Sequence, residues 1–440
     1  MRSTRKRALA LTAGLAGISL VLTGCGGSTT DDESPAAAGD GETQAPSDEE
    51  ITLTVATFNE FGYAELYEEY MADNPNVKIE EVKAATSNEA RDKLNTSLAA
   101  GAGASDIEAI EVDWLPELMQ YPDKFEDLSS PDVEGRWLDW KTAQATTEDG
   151  KLIGYGTDIG PEAICYRSDL FAAAGMPTDR AEVAKLLEGD WENYFKVGDE
   201  FVAASDAAWF DSANATFQAM INQVENPYEE DDGTVIPLDE TEVKDLYDTV
   251  LEAAVDRGLS ASLNQWSDDW FAAFQTPKFA TMACPSWMLG IIEGNAAGVT
   301  GWDIADVFPG GGGNWGGSFL TVPSDGKNVE AAKTLAAWLT APEQQAKAFA
   351  VNSNFPSQVE AATDPTVLGV KNAFFNEAPT GEIMSNRAAA VKVSPFKGAN
   401  YFAIHTTVTD GITRVDVDKT DDAASSWEKS LQAFGELGLS

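Results

Sequence analysis

From Ile51 the chain alternates apolar and polar residues in "ITLTVATF", the period of a half-buried strand. The period then becomes helical in "AELYEEYMADNP", where Leu66, Tyr67, Tyr70 and Met71 share one face before Asn74 and Pro75 stop the helix. "NVKIEEV" predicts a second strand, Asn88 to Ala100 a second helix, and "DIEAIEVDW" a third strand with a polar and aromatic tip. Strand, helix, strand, helix, strand is the order of a parallel α/β sheet covered on both faces. The pattern resumes in "GKLIGYGTD" and "EAICYRSDLFAAAGMP", passes through a helix-rich middle from Trp191 to Leu263, and returns to a strand in "KFATMACPSW". Between Val329 and Val351, Leu335, Trp338, Leu339 and Phe349 mark two amphipathic helices, with Pro342 opening the second. No internal repeat of fixed period is visible.

The first two dozen residues follow another rule. Arg2, Arg5, Lys6 and Arg7 precede an apolar run from Ala8 to Leu22 and then Thr23-Gly24-Cys25, the layout of a secretory signal. The run is shorter than the ~20 apolar residues that span hydrocarbon. Gly26 to Glu50 holds neither an aromatic nor a basic residue and reads as a disordered acidic tether, with a root-mean-square reach of roughly 25 to 30 Å.

The 440-residue chain is 43% hydrophobic and 10% aromatic, a globular composition with room for two cores. Cleavage before Cys25 removes four cations and no anion, taking the formal net charge from −44 to −48. Nucleic acid and anionic solutes are therefore not expected as partners; a dispersed, monomeric exported protein is. Cys165 and Cys284 would sit in an oxidising compartment, and the sequence leaves open whether they pair or pack as two buried thiols.

Several chemistries lack their parts. His405 is the sole histidine and no cysteine pair has metal-ligand spacing, so zinc chemistry and a Ser-His-Asp triad are not expected, and no cofactor is implied. "GGGNWG", Gly311 to Gly316, matches G-x-G-x-x-G, but the strand-like "SFLTVP" follows it instead of a helix. "EEDDGT" and "DVDKTDD" lack the spacing of calcium loops and read as solvated acidic turns.

Four features carry a resemblance. "LTGC", Leu22 to Cys25, resembles the lipobox of bacterial lipoproteins. "KLIGYGTDIGPEAICYRSDLFAAAGMP" (Lys151 to Pro177), "KFATMACPSWMLG" (Lys278 to Gly290) and "FPGGGGNWGGSFLTVPSDGKNVEAAKTLAAWLTAPEQQAKAF" (Phe308 to Phe349) resemble, in order and spacing, the carbohydrate-binding extracellular receptors of ABC importers, a family that includes maltose-binding protein. The resemblance implies a lipid-anchored receptor on the outer face of the cell membrane, held through Cys25, which gives its solute to ABC permease subunits. It implies a two-lobed periplasmic-binding-protein-like α/β fold, each lobe a mainly parallel sheet flanked by helices and joined to the other by hinge strands. The expected divisions are a signal over 1–24, a tether over 25–50, an N-lobe over 51–160 plus 317–355, and a C-lobe over 161–316 plus 356–440.

A sugar has apolar C–H faces and a rim of hydroxyls, so its site needs flat aromatics and side-chain amides or carboxylates. By this logic Trp315 and Asn314 beside the return crossing, Glu60 and Phe61 after the first strand, Asp113 and Trp114 after the third, and Asp158 at the first crossing are expected at the ligand. Trp287, Trp209 and Trp270 are the expected platforms of the C-lobe. The six glycines among Gly310 to Gly317 are expected to take positive φ and let backbone approach the ligand. Trp315→Ala is expected to weaken binding with little effect on folding. The ligand so implied is a neutral di- or oligosaccharide. Overall wording, similar to actinobacterial sequences of that type, leans to cellobiose and its longer homologues. The alternatives are a secreted glycosidase and a receptor for a polyamine or peptide.

Overall fold

Alternation at Ile51 becomes strand in the computed structural model, which describes residues 50–439; the signal, Cys25 and the tether to residue 49 lie outside the described residues. The strands are β1 (Ile51–Phe58), β2 (Val77–Ala84), β3 (Ile107–Glu111), β4 (Tyr155–Gly156), β5 (Asp158–Ile159), β6 (Glu162–Arg167), β7 (Ala208–Phe210), β8 (Phe279–Pro285), β9 (Trp302–Ala305), β10 (Ser318–Thr321) and β11 (Phe355–Pro356). They build two lobes and a ribbon between them.

The first sheet has the order β2-β1-β3-β10-β4. β1 lies parallel to β2 and β3, whereas β10 and β4, which belong to the crossing between lobes, pair antiparallel. The second sheet, β7-β8-β6-β9, is also mixed: β7 and β8 are parallel, and β6 runs antiparallel to both β8 and β9. β5 and β11 form a separate antiparallel ribbon in which Ile159 faces Phe355.

Packing follows the sheets. Leu53, Val55, Ile107 and Leu320 anchor a core under the first sheet; Tyr194, Trp209, Phe217 and Tyr247 belong to a second core under the other. A third cluster joins Ile159 and Phe355 of the ribbon to Cys165, Trp270 and Cys284. The helix Pro342–Asn352 gives Ala348 to the first core and Phe349 to the third, so it ties ribbon to lobe. Cys165 and Cys284 are joined as a disulfide with Cα atoms 5.5 Å apart, linking β6 to β8.

Two crossings lie side by side because glycine lets them. Trp315 N–H donates to Gly160 O at 2.8 Å, and a Cβ at Gly160 would fall 1.8 Å from the Trp315 carbonyl oxygen. Gly317 holds φ +103°, and a Cβ there would lie 2.6 Å from Asp158 O. Buried Lys141 sits behind this crossing, its Nζ 3.8 Å from the centre of the Phe319 ring and without a hydrogen-bond partner. Burial holds the pKa of that amine down to about 7. Among the described residues no helix is long and apolar enough to cross a membrane.

Candidate ligand-binding cleft

Where the two lobes face each other, a cavity of about 520 Å³ opens over the crossing strands. That is within the ~300–1,000 Å³ usual for small-molecule sites. The first lobe contributes the turn after β1 (Phe58 to Phe61), the start of the helix Ser87–Ala100, and Glu111 and Asp113 from the end of β3. Thr86 fixes that helix start by accepting from Glu89 N–H at 3.2 Å, while the Glu89 carboxylate accepts from Ala85 N–H at 3.0 Å. The floor is Asp158 with Trp315 to Ser318, and the second lobe adds Trp266, Trp287 and one face of the helix Tyr401–Asp416.

Three indoles make the aromatic wall. Trp266 stacks on Trp287 with ring centres 6.0 Å apart and planes 21° from parallel; Trp287 meets Trp315 edge to face at 5.6 Å and 84°. Trp287 Nε1–H donates to Trp315 O at 2.9 Å, so the wall is fastened to the crossing. Trp266 holds φ +70°, a conformation that resists any side chain.

The polar lining has open valences. Buried Gln265 Nε2 and Asn214 Oδ1 have no hydrogen-bond partner, and both residues line the cleft. Its charged lining residues are all carboxylates, Glu60, Glu111, Asp113, Asp158 and Asp410. Burial, with Asp113 beside it, pushes the pKa of Glu111 up to about 8, opposed by Lys397 and Lys141. Asp113 pairs with Lys397 of the second lobe, and Glu60 with Lys83. Asp158 Oδ1 accepts from Thr157 Oγ1 at 2.7 Å and from Ser318 N–H at 2.9 Å, so it braces the crossing while it lines the cavity. Among the described residues no group of three or more metal-ligating side chains comes together.

Of the residues singled out in sequence, Glu60, Phe61, Asp113, Asp158, Trp287 and Trp315 meet at this cavity. Four do not. Trp114 is 1% exposed in the first core, packed at the start of the helix Leu115–Leu118 while Asp113 beside it faces the cleft. Trp209 is fully buried on β7 against Gly198, where a Cβ would fall 2.6 Å from its ring. Trp270 is fully buried and donates Nε1–H to Asp211 at 2.8 Å. Asn314 is engaged with backbone, accepting from Gly160 N–H at 2.9 Å and donating to Gly316 O at 3.1 Å.

Of Trp266 and Trp270, four apart in "NQWSDDWFAAF" and in sequence equally readable as packing, the site choice fell on Trp270 whereas Trp266 lines the cleft; the helix face of Phe402, His405, Thr406, Thr409 and Asp410 was missed. Ser267 caps the helix Asp268–Ala273, which leaves Trp266 just outside it, and "WSDDW" carries that signal. The glycine tract also acts differently from expectation. Gly316 and Gly317 line the cavity, but the close approaches at Gly312 and Gly313 are to Ala390 O and to the Glu162 carboxylate, groups of the protein itself.

Comparison with known proteins agrees with this architecture. The model of the family described as "bacterial extracellular solute-binding protein" matches residues 65–373. A crystal structure of an extracellular solute-binding protein of family 1 is 50% identical and superposes with a TM-score of 0.78 over 88% of this chain and 99% of that one. The arabinooligosaccharide-binding protein of Bacillus subtilis is 25% identical over 345 residues, 74% of each chain. An ABC transporter associated binding protein of B. animalis subsp. lactis, solved with β-1,6-galactobiose, shares the fold at 18% identity, with a TM-score of 0.76 over 89% of this chain and 98% of that one.

Proposed function

Because the chain belongs to the bacterial extracellular solute-binding protein family, we propose that it captures a neutral di- or oligosaccharide in the cleft between its lobes and delivers it to the permease of an ABC importer. The family is one of solute-binding proteins, not of enzymes. The observation that carries the saccharide reading is the wall of Trp266, Trp287 and Trp315 beside the unpartnered polar atoms of Gln265 and Asn214. Indole planes cover the C–H faces of a sugar ring, and unpartnered buried amide groups gain most from a ligand rich in hydroxyls. Carboxylate lining disfavours acidic sugars and suits hydroxyl donors.

Closure of an N-lobe (51–160 plus 317–355) on a C-lobe (161–316 plus 356–440) is the functional motion in this reading. Cellobiose and cello-oligosaccharides lead the ligand choice on sequence wording, and the Bacillus subtilis relative puts arabino-oligosaccharides beside them. Calorimetry of the chain from Gly26 onward, against cello-, arabino- and galacto-oligosaccharides and a polyamine, tests it. We expect one saccharide series to bind and to be recovered without new reducing ends. Heat from the polyamine alone would overturn the reading. Anchoring through Cys25 is tested separately, since Cys25→Ser should abolish fatty-acid labelling and release the protein to the medium.

A further inference from the structure

His405 is the sole histidine of the chain, and it lines the cleft on the helix Tyr401–Asp416. Its ring lies 9° from parallel to Tyr401 at 5.5 Å and 21° from Phe217 at 6.0 Å, which restricts rotation. Nδ1 lies 2.9 Å from the hydroxyl of Tyr228. Tyr228 is fully buried and its hydroxyl makes no other hydrogen bond among the described residues. A buried phenol keeps its proton and must direct it somewhere, so Tyr228 O–H donates and Nδ1 accepts. The single proton of a neutral imidazole then sits on Nε2. Burial supports the neutral form, holding the pKa down to about 4, while Asp113 pulls it up and Lys397 pushes it down.

Several other donors facing the cleft are already engaged, whereas Gln265 Nε2 is free like that of His405. Trp287 Nε1–H goes to Trp315 O, Gln218 Nε2 to Asn222 Oδ1, Asn214 Nδ2 to Thr413 Oγ1, and Asn352 Nδ2 to Glu60 O. The ionised carboxylates only accept; Glu111, which burial keeps protonated at neutral pH, is the one lining carboxyl with a proton to give. A saccharide's ring and glycosidic oxygens carry no proton, so they can be read only by a donor.

We propose that His405 is a specificity-determining donor, its Nε2–H fixed by Tyr228 to bind an acceptor oxygen of the bound saccharide. This rests on the saccharide reading of the cleft.

A single histidine makes the test direct. In protein labelled with ¹⁵N-histidine at neutral pH, without ligand, we expect one imidazole protonated on Nε2 and bare on Nδ1; an imidazolium or an Nδ1–H tautomer would overturn the proposal. Cellotriose and arabinotriose serve as probes. The one that binds should shift Nε2 and leave Nδ1 nearly unchanged; an unmoved Nε2 overturns the assignment. His405→Leu should weaken that probe about tenfold, whereas His405→Gln, which can offer an amide N–H near the same place, should stay within about threefold. Tyr228→Phe should yield mixed tautomers and an intermediate loss, which keeps the proposal testable if His405→Leu folds poorly. Equal binding by wild type and His405→Leu overturns the assignment alone. No binding of either probe by wild type, nor of any saccharide in the calorimetric panel, overturns the saccharide reading and this assignment with it.

Discussion

Asp113, just beyond β3 in one lobe, is ion-paired with Lys397 from the other, and the side chains are only 16% and 6% exposed. The segment carrying Lys397 belongs to the second lobe, because Phe396 N–H donates to Glu225 O and Asn400 Nδ2 to the Glu229 carboxylate. Arg91 adds a second link, its guanidinium 4.3 Å above the Phe402 ring. Removing one partner of such a buried pair leaves an uncompensated charge, at a cost of about 3–5 kcal/mol. Lys397→Met should therefore favour separated lobes, giving a larger radius of gyration by X-ray scattering without ligand and weaker binding. The double variant with Asp113→Leu should recover much of the compactness; a single variant as compact as wild type would mean the pair does not hold the lobes.

The tryptophans divide into wall and core, and variants should separate them. Trp266 is half-buried at φ +70°, so Trp266→Gly relieves backbone strain as it removes a platform. We expect a loss of about ten- to a hundredfold in affinity with a melting temperature near that of wild type. Trp209→Ala and Trp270→Ala should cost about 3–5 kcal/mol of stability, the latter also leaving the Asp211 carboxylate without its donor. Trp315 combines both behaviours. The residue is only 8% exposed and its carbonyl holds Trp287, so Trp315→Ala should lower stability as well as binding, contrary to the sequence-based expectation.

Strand ends were legible because an α/β sheet offers its carboxyl ends to a ligand, and Glu60, Phe61, Asp113, Asp158, Trp287 and Trp315 all lie at strand ends or crossings. Trp114 failed because the turn after β3 sends Asp113 to the cleft and Trp114 into the first core, a difference that hydrophobicity and position past a strand end do not reveal. Trp209 failed because hydrophobicity cannot tell a ring over a cleft from one pressed on Gly198. The helix Tyr401–Asp416 was illegible for another reason. Its apolar residues Tyr401, Ile404, Val408 and Ile412 are buried, and the stripe of His405, Thr406, Thr409 and Asp410 reads as an ordinary solvent face. Only the opposing lobe turns that face into a binding surface.

Glu111 links the cleft to pH. Its carboxyl is raised from 4.5 to about 8, chiefly by burial. Between those values the native protein keeps a proton that the unfolded chain has released, so this group's contribution to stability is full below pH 4.5 and is lost as pH rises toward 8. Lys141, lowered from 10.5 to about 7, gives the opposite slope, but only above pH 7. Glu111→Gln should therefore flatten the decline of stability between pH 4.5 and 7, with a gain over wild type of a few kcal/mol at most at the upper end. Denaturant midpoints of both proteins across this range check it. Parallel curves would show that Glu111 ionises in the fold as it does in water.

The disulfide ties the aromatic wall to the crossing. Cys165 lies on β6, which starts just past Pro161, and Cys284 on β8, which ends before Ser286 and Trp287. The two are offset by two pairs in the ladder, Cys165 facing Met282 and Cys284 facing Ala163. The bridge closes a sequence separation of 119 residues, long enough to restrict the unfolded chain by about 2–5 kcal/mol. The ladder hydrogen bonds remain without it, and Ser286 Oγ–H still donates to Ile159 O at 3.1 Å. Cys165→Ala with Cys284→Ala should thus lower the denaturant midpoint substantially while changing saccharide affinity by less than about threefold. Reductant should lower the wild-type midpoint toward that of the variant and leave the variant unmoved. A reductant-insensitive wild type with two titratable thiols would show the cysteines to be packed as separate apolar side chains.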